Sequence, residues 1–234
     1  MVREALADHG RVVEVFALPE AAQRHPEIRA AADDAGVTWH LAEERAVSAL
    51  AETVHSQGLV AVCRFLDRPV DDMLSAGTRL IAVCVDIRDP GNAGTVIRTA
   101  DAAGADGVVL AGSSVDPYNG KAVRSSAGSL FHLPPALEPD AAGVLARLRG
   151  HGLQILAADG TGELLLDDAA DSGVLARPTA WLFGNEARGL PPALAQLADD
   201  RVAIPIHGRA ESLNLATAAA ICLYASARAQ RRPV

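Results

Sequence analysis

Aromatic residues are scarce in this 234-residue sequence, which has two Trp, two Tyr and four Phe. Stacking of bases on exposed rings, the usual hold on single-stranded nucleic acid, therefore has few side chains to use, and contact with such a ligand would fall to Arg, Lys, polar groups and backbone. Cysteine is rarer still. Cys63, Cys84 and Cys222 are too few and too scattered for a disulfide framework, no Cys-x-x-Cys pair suggests zinc, and two of the three sit in apolar runs as small core residues. No apolar run approaches the ~20 residues of a membrane span, and no signal-peptide pattern opens the chain, so the expected compartment is a reducing cytoplasm. Positive charge is in deficit, with 29 Asp plus Glu against 21 Lys plus Arg and a formal charge of −8. The whole chain should repel a polyanion, and binding one would need a local basic face. The seven histidines show no metal-ligand spacing, and Asp167, Asp168 and Asp171 read as solvated charges, so no metal is expected. Absence of a Gly-x-Gly-x-x-Gly turn and of a Walker Gly-Lys-Ser/Thr argues against dehydrogenases, Rossmann methyltransferases and P-loop kinases.

Half the residues are apolar, enough for a real core. Hydrophobic patterning predicts helices over 2–9, 27–35 and 43–54 and extended segments over 12–18, 37–41 and 59–65, which together make a small α/β unit. Residues 69–78 break the pattern with Pro, Asp, Ser and Gly and read as a linker. RLIAVCVD, 79–86, is the continuous apolar run of a strand buried on both faces. Further strands are predicted at 107–110, 153–158, 179–183 and 202–206, and helices at 93–103, 141–149 and 212–228. The fold class is therefore α/β with a mostly parallel sheet, in a second domain over 79–234. There is no internal repeat, and the tail 228–234 reads as a frayed basic end.

Three blocks carry candidate chemistry. In DIRDPGNAGTVIRTADAAGADGVVL a buried strand runs through a polar turn, Asp89-Pro90-Gly91-Asn92, into a helix carrying Arg98, where open α/β sheets place their ligands. Pro90 restricts the turn and Gly91 allows positive φ. An Arg two turns into that helix must point into the sheet or along its edge, and burial without a partner is costly, which favours a functional role; a plain turn and helix cap is the equal alternative for the block. In WLFGNEARGLPP, Gly184 and Gly189 flank Asn185 and Glu186, suggesting backbone in close approach to a flat ligand; an ordinary strand-to-helix connection is the alternative. In IPIHGRAESLNL a strand passes through His207-Gly208-Arg209 to Ser212 and Asn214 at a helix start, where Ser212 can equally be a simple N-cap.

Together, in this order and spacing, the three blocks resemble the motif set of the SpoU/TrmH family of RNA methyltransferases, within the trefoil-knotted SPOUT group, over about 79–229. The resemblance implies a knotted C-terminal fold and S-adenosylmethionine-dependent transfer of methyl to a ribose 2′-hydroxyl of RNA, with large-subunit rRNA preferred over tRNA. It implies Asn92, Arg98, Glu186, Ser212 and Asn214 as the catalytic set. Arg98 would bind the adjacent phosphate and stabilise the developing oxyanion, since a guanidinium has no acceptor for the ribose proton. The cofactor is expected against Leu182, Phe183, Gly184, Asn185, Gly189, Ile204, Pro205, Ile206, Ser212 and Leu213. Lys121, Arg124 and Ser126 of KAVRSSAGSLFHLP are the expected RNA contacts, beside a plain-loop alternative. A homodimer is also implied, each pocket completed from the partner, and the Ala-rich last helix either lies at that interface or simply covers the sheet.

Residues 1–68 resemble the small ribosomal-protein-like, RNA-binding domain that precedes this catalytic domain in many members. Those members open with a basic segment and a further strand, which the resemblance reads as missing before Met1. The rivals are a tRNA 2′-O-methyltransferase and a non-catalytic RNA-binding protein on the same fold. The second predicts binding without cofactor dependence, and the intact catalytic set speaks against it.

Overall fold

The computed structural model describes residues 1–7, 10–51 and 56–231. The ends of the helices expected at 2–9 and 43–54, the last residues of the 228–234 tail, and His9 and His55 lie outside the described residues. Contacts divide the chain into two compact units, Met1–Leu66 and Asp67–Val234.

The first unit contains α1 (Val2–Ala7), β1 (Val12–Ala17), α2 (Pro19–Arg24), α3 (Pro26–Asp34), β2 (Thr38–Leu41), α4 (Glu44–Ala51) and β3 (Leu59–Cys63). Its sheet runs β2-β1-β3, the first pair parallel and the second antiparallel. Val15 and Ala17 are buried, as are Leu6, Ile28, Ala32 and Val47 of the helices, while the alternate residue Phe16 stacks on His40, whose Nε2 lies 3.0 Å from Glu14 Oε2.

The second unit contains β4 (Leu80–Val85), α5 (Pro90–Ala103), β5 (Gly107–Ala111), α6 (Gly120–Ser126), α7 (Ser129–His132), β6 (Ala136–Glu138), α8 (Ala141–Gly150) and β7 (Gln154–Ala158). After these come β8 (Leu164–Leu165), α9 (Leu166–Asp171), β9 (Thr179–Phe183), α10 (Pro192–Ala195), β10 (Asp200–Ala203) and α11 (Leu215–Arg231). Seven strands form one sheet in the order β6-β5-β4-β9-β7-β10-β8, and every pair is parallel. With helices on its faces the sheet buries β4, β5 and β9 throughout, which is why these segments read as unbroken apolar runs. Cys84 and Cys222 lie in this core; burial, with a smaller contribution from the charge of Glu186, pushes the Cys84 thiol up to about 12.

Several expectations shift. Residues 69–78 hold a 3₁₀ turn, Val70–Met73, whose Val70 and Met73 belong to the sheet's core, and Thr78 Oγ1 donates to the Met73 carbonyl at 3.0 Å. Polar composition conceals two apolar anchors at i and i+3 that fasten this stretch to the unit. The α5 helix starts at Pro90, three residues before its expected start, so Asp89-Pro90-Gly91-Asn92 is a cap and first turn. Pro is preorganised for the first helical position and Asp89 Oδ1 accepts from Asn92 N at 2.8 Å. Gly91 is helical; the positive φ falls on Asp86, at 53°. β10 ends at Ala203, just before Ile204 and Pro205, and α11 starts at Leu215, so Ser212 is not its cap. That position is taken by Asn214, whose Oδ1 accepts from Ala216 N and Thr217 N at 2.9 and 3.3 Å.

Candidate active site

Because the strands are parallel, their carboxyl ends share one edge, and Asp86, Asp159, Gly184 and Ile204 follow β4, β7, β9 and β10 there. Left-handed backbone at Asp86 turns the chain out of β4; its Oδ1 accepts from Ser113 N at 2.7 Å, and its carbonyl accepts from Asn185 Nδ2 at 2.8 Å. Two main-chain bonds between Asn185 and Gly189, at 3.0 and 2.8 Å, close the loop after β9 into a tight hairpin. A Cβ on Gly184 would stand 2.3 Å from the Gly189 carbonyl carbon, and Gly189 has φ 67°. Both glycines are therefore required by the loop's own backbone, whether or not a ligand approaches it.

Glu186 faces the start of α5. Its Oε1 accepts from Asp89 N and Asn92 Nδ2, both at 3.2 Å, and its Oε2 from Arg88 N at 3.3 Å. Asn92 Oδ1 in turn accepts from Asn214 Nδ2 at 3.0 Å. Burial alone would raise the Glu186 carboxyl; donors from its own backbone, Asn92, Asp89 and Arg88 outweigh it and hold the group below the ordinary glutamate range. Asp89 is held low first by Lys121, the only lysine in the chain, whose Nζ lies 2.7 Å from Oδ2, and then by Asn92 N.

Two clefts adjoin at this edge. One, of about 200 Å³, is walled by Phe183, Ile204, Ile206, Leu213 and Leu215, with Gly184, Asn185, Gly189 and Ser212 also on its lining. Its ionisable residues are all acidic: Asp159, Glu186 and Glu211. The other, of about 690 Å³, is lined by Asn92, Glu186, Ser212 and Asn214 together with Arg88, Asp89 and Arg188. Asn185, Glu186, Ser212, Leu213 and Leu215 belong to both.

Of the residues expected from sequence, Asn92, Glu186, Ser212 and Asn214 thus meet at one cleft, and most of the expected cofactor residues line the other. Leu182 does not; its side chain is in the core of the sheet, as alternation in β9 dictates beside Phe183. Pro205 lies on neither lining. Arg98 is exposed, not buried, lines neither cleft, and its guanidinium makes no hydrogen bond or ion pair among the described residues. It stands six residues beyond Asn92 on α5, about 9 Å along the axis and on a different face. Arg124 is exposed. Ser126 is only 1% exposed and its Oγ donates to the Val123 carbonyl, so it faces no ligand. Ala158, Asp159 and Gly160, together with Arg88, Arg188 and Glu211, were not expected here. The first three follow β7 as Gly184 follows β9, and the rule that ligands sit at carboxyl ends was the signal for them.

The chain matches the family model of the SpoU rRNA methylase family over residues 79–224. It belongs to that family. Residues 1–69 match a model described as RNA 2′-O ribose methyltransferase substrate binding. The SpoU relatives include the 23S rRNA (guanosine(2553)-2′-O)-methyltransferase RlmP of Bacillus subtilis, 35% identical over 96% of this chain and 84% of that one. A 23S rRNA (uridine(2479)-2′-O)-methyltransferase of Streptomyces viridochromogenes is 38% identical over 71% and 60%. Among solved structures, the SpoU methyltransferase AviRb of S. viridochromogenes in complex with AdoMet superposes with a TM-score of 0.84 at 31% identity, covering 97% of this chain and 88% of that one. Among the described residues no helix is long and apolar enough to cross a membrane, and no group of three or more His, Cys, Asp or Glu is gathered to hold a metal.

Proposed function

We propose that this chain is a cytoplasmic S-adenosylmethionine-dependent methyltransferase acting on a ribose 2′-hydroxyl of 23S rRNA. The observation that carries the reading is the pair of adjoining clefts of opposite character, one apolar and acidic, the other carrying the Glu186–Asn92–Asn214 hydrogen-bond chain. Family membership and the RlmP and AviRb relatives support it.

The residues present fit the cofactor. Phe183, Ile204, Ile206 and Leu213 offer apolar walls for a flat adenine, and a lining with carboxylates and no cation suits a ligand bearing a sulfonium and an ammonium. When bound, S-adenosylmethionine supplies an electrophilic methyl. The protein aligns the ribose oxygen behind it. Glu186 fixes the Asn92 amide, Asn92 fixes Asn214, and the exposed polar atoms of this set with Ser212 Oγ hold the ribose where the clefts meet.

Arg98, outside both clefts of its own chain, we assign to the cleft of a second copy in a homodimer. It lies on α5 beside α11, whose outer side exposes Ile221 (37%) and Tyr224 (52%), an apolar stripe a second copy would cover. The first unit serves as the RNA-substrate domain, and the family's trefoil knot is part of this reading.

The test is incorporation of tritiated methyl from S-adenosylmethionine into total rRNA and, separately, total tRNA, followed by mapping of 2′-O-methylation. Label in 23S rRNA at a ribose is expected. Label confined to tRNA would replace the substrate, and a protein that neither transfers methyl nor binds the cofactor in calorimetry would overturn the reading.

A further inference from the structure

We infer that Arg88 and Arg188 form the phosphate clamp of the RNA-side cleft, gripping backbone phosphates next to the nucleotide that presents its ribose. The inference rests on the methyltransferase reading above and deepens it by naming what holds the RNA. Both arginines line the cleft of Asn92 and Asn214, both are exposed, and neither guanidinium has a hydrogen bond or ion pair among the described residues.

Their placement is fixed from beneath. Arg88 N donates to Glu186 Oε2 at 3.3 Å, and Arg188 N donates to Asn185 Oδ1 at 3.1 Å. A single dipeptide, Asn185-Glu186, therefore anchors the backbone of both arginines and, through Asn92, the polar residues meant for the ribose. Preorganised backbone with free guanidinium ends suits a ligand carrying its own oxyanions.

The neighbouring charges sharpen the assignment. Lys121 spends its charge on Asp89 Oδ2 at 2.7 Å, Glu186 is occupied by four donors, and Arg98 lines neither cleft. What remains uncompensated in this cleft is the pair Arg88 and Arg188, while the cofactor cleft beside it has acidic residues alone. On a chain of formal charge −8, two unpaired arginines at the reaction edge make the local basic face that a polyanion requires.

The experiment measures kcat and KM for unmodified 23S rRNA transcribed in vitro, across a KCl series, for wild type, Arg88→Gln, Arg188→Gln and the double variant. Calorimetry gives the Kd of S-adenosylmethionine for each. KM should rise roughly fivefold for each arginine removed at low salt. The slope of log KM against log salt should fall by about 0.7 to 0.9 per arginine, as one phosphate contact is lost each time. Cofactor Kd should stay unchanged, Arg→Lys at either position should restore the slope with only part of the KM, and Arg177→Gln, at the opposite end of β9, should behave as wild type. A double variant with wild-type KM and slope overturns the clamp while leaving the methyltransferase reading intact. A matching rise in cofactor Kd also overturns it, because the arginines would then hold the cofactor's carboxylate. A wild-type protein that transfers no methyl to RNA removes the functional reading and the clamp with it.

Discussion

Asn214 does two jobs with opposite ends of one amide, and two substitutions separate them. Its Oδ1 caps α11 by accepting from Ala216 N and Thr217 N, and its Nδ2 donates to Asn92 Oδ1 at 3.0 Å. Asn214→Ala removes both. Loss of the cap should cost about 1 kcal/mol, and loss of an exposed neutral hydrogen bond about 0.5 kcal/mol more. For a chain of this size the sum lowers Tm by roughly 3–6 °C. Asn214→Asp keeps the capping oxygen and places a carboxylate at a helix N-terminus, which is favourable, so its stability should stay near wild type. It has no donor for Asn92, however, and sets oxygen against oxygen. With the link between Asn92 and position 214 broken, single-turnover methyl transfer should fall roughly a hundredfold, about 2.7 kcal/mol in the barrier. Urea unfolding and a single-turnover assay on the same preparations read both effects. The reasoning fails if Asn214→Asp is as unstable as Asn214→Ala, or if it turns over like wild type.

Three further expectations follow from the same geometry. Trp181 Nε1 donates to Ser226 Oγ at 2.9 Å within the core, so Ser226→Ala leaves an indole N–H buried without a partner and should cost about 1–3 kcal/mol of stability, read as a lower urea midpoint at unchanged slope. The Glu186 carboxyl is held below its ordinary value, so its contribution is fully present above the unfolded pKa of about 4.3 and is lost as pH falls through the lower folded value. Wild type should therefore lose stability below about pH 4 more steeply than Glu186→Gln, and parallel curves would refute the link. If Arg98 acts in a second copy's cleft, co-expressed Arg98→Ala and Glu186→Gln chains should recover activity as mixed dimers that neither variant has alone. No recovery would return Arg98 to its own chain.

The sequence alone determined the class of fold and the neighbourhood of the site, because both depend on local features. Fully buried strands such as β4 and β9 must be continuous apolar runs, and the blocks around Asn92, Glu186 and Asn214 carry their spacing in the chain itself. The short helices α2, α6, α7, α9 and α10 and the two- and three-residue strands β8 and β6 escaped because one or two turns, or two or three extended residues, show no periodicity. Val70 and Met73 were hidden by polar neighbours for the same reason. Only the tertiary structure decided which polar residues meet. The strand order sets β9 between β4 and β7, and this brings Glu186 onto the amides of Arg88 and Asp89, 98 and 97 residues away along the chain. It also decided which side chains reach the site: Arg98 lines neither cleft, Ser126 is buried, and Arg88 and Arg188, unremarkable in sequence, stand free at the cleft. Side-chain direction follows from helix phase and from the crossing of distant strands, and neither can be read from the spacing of residues along the chain.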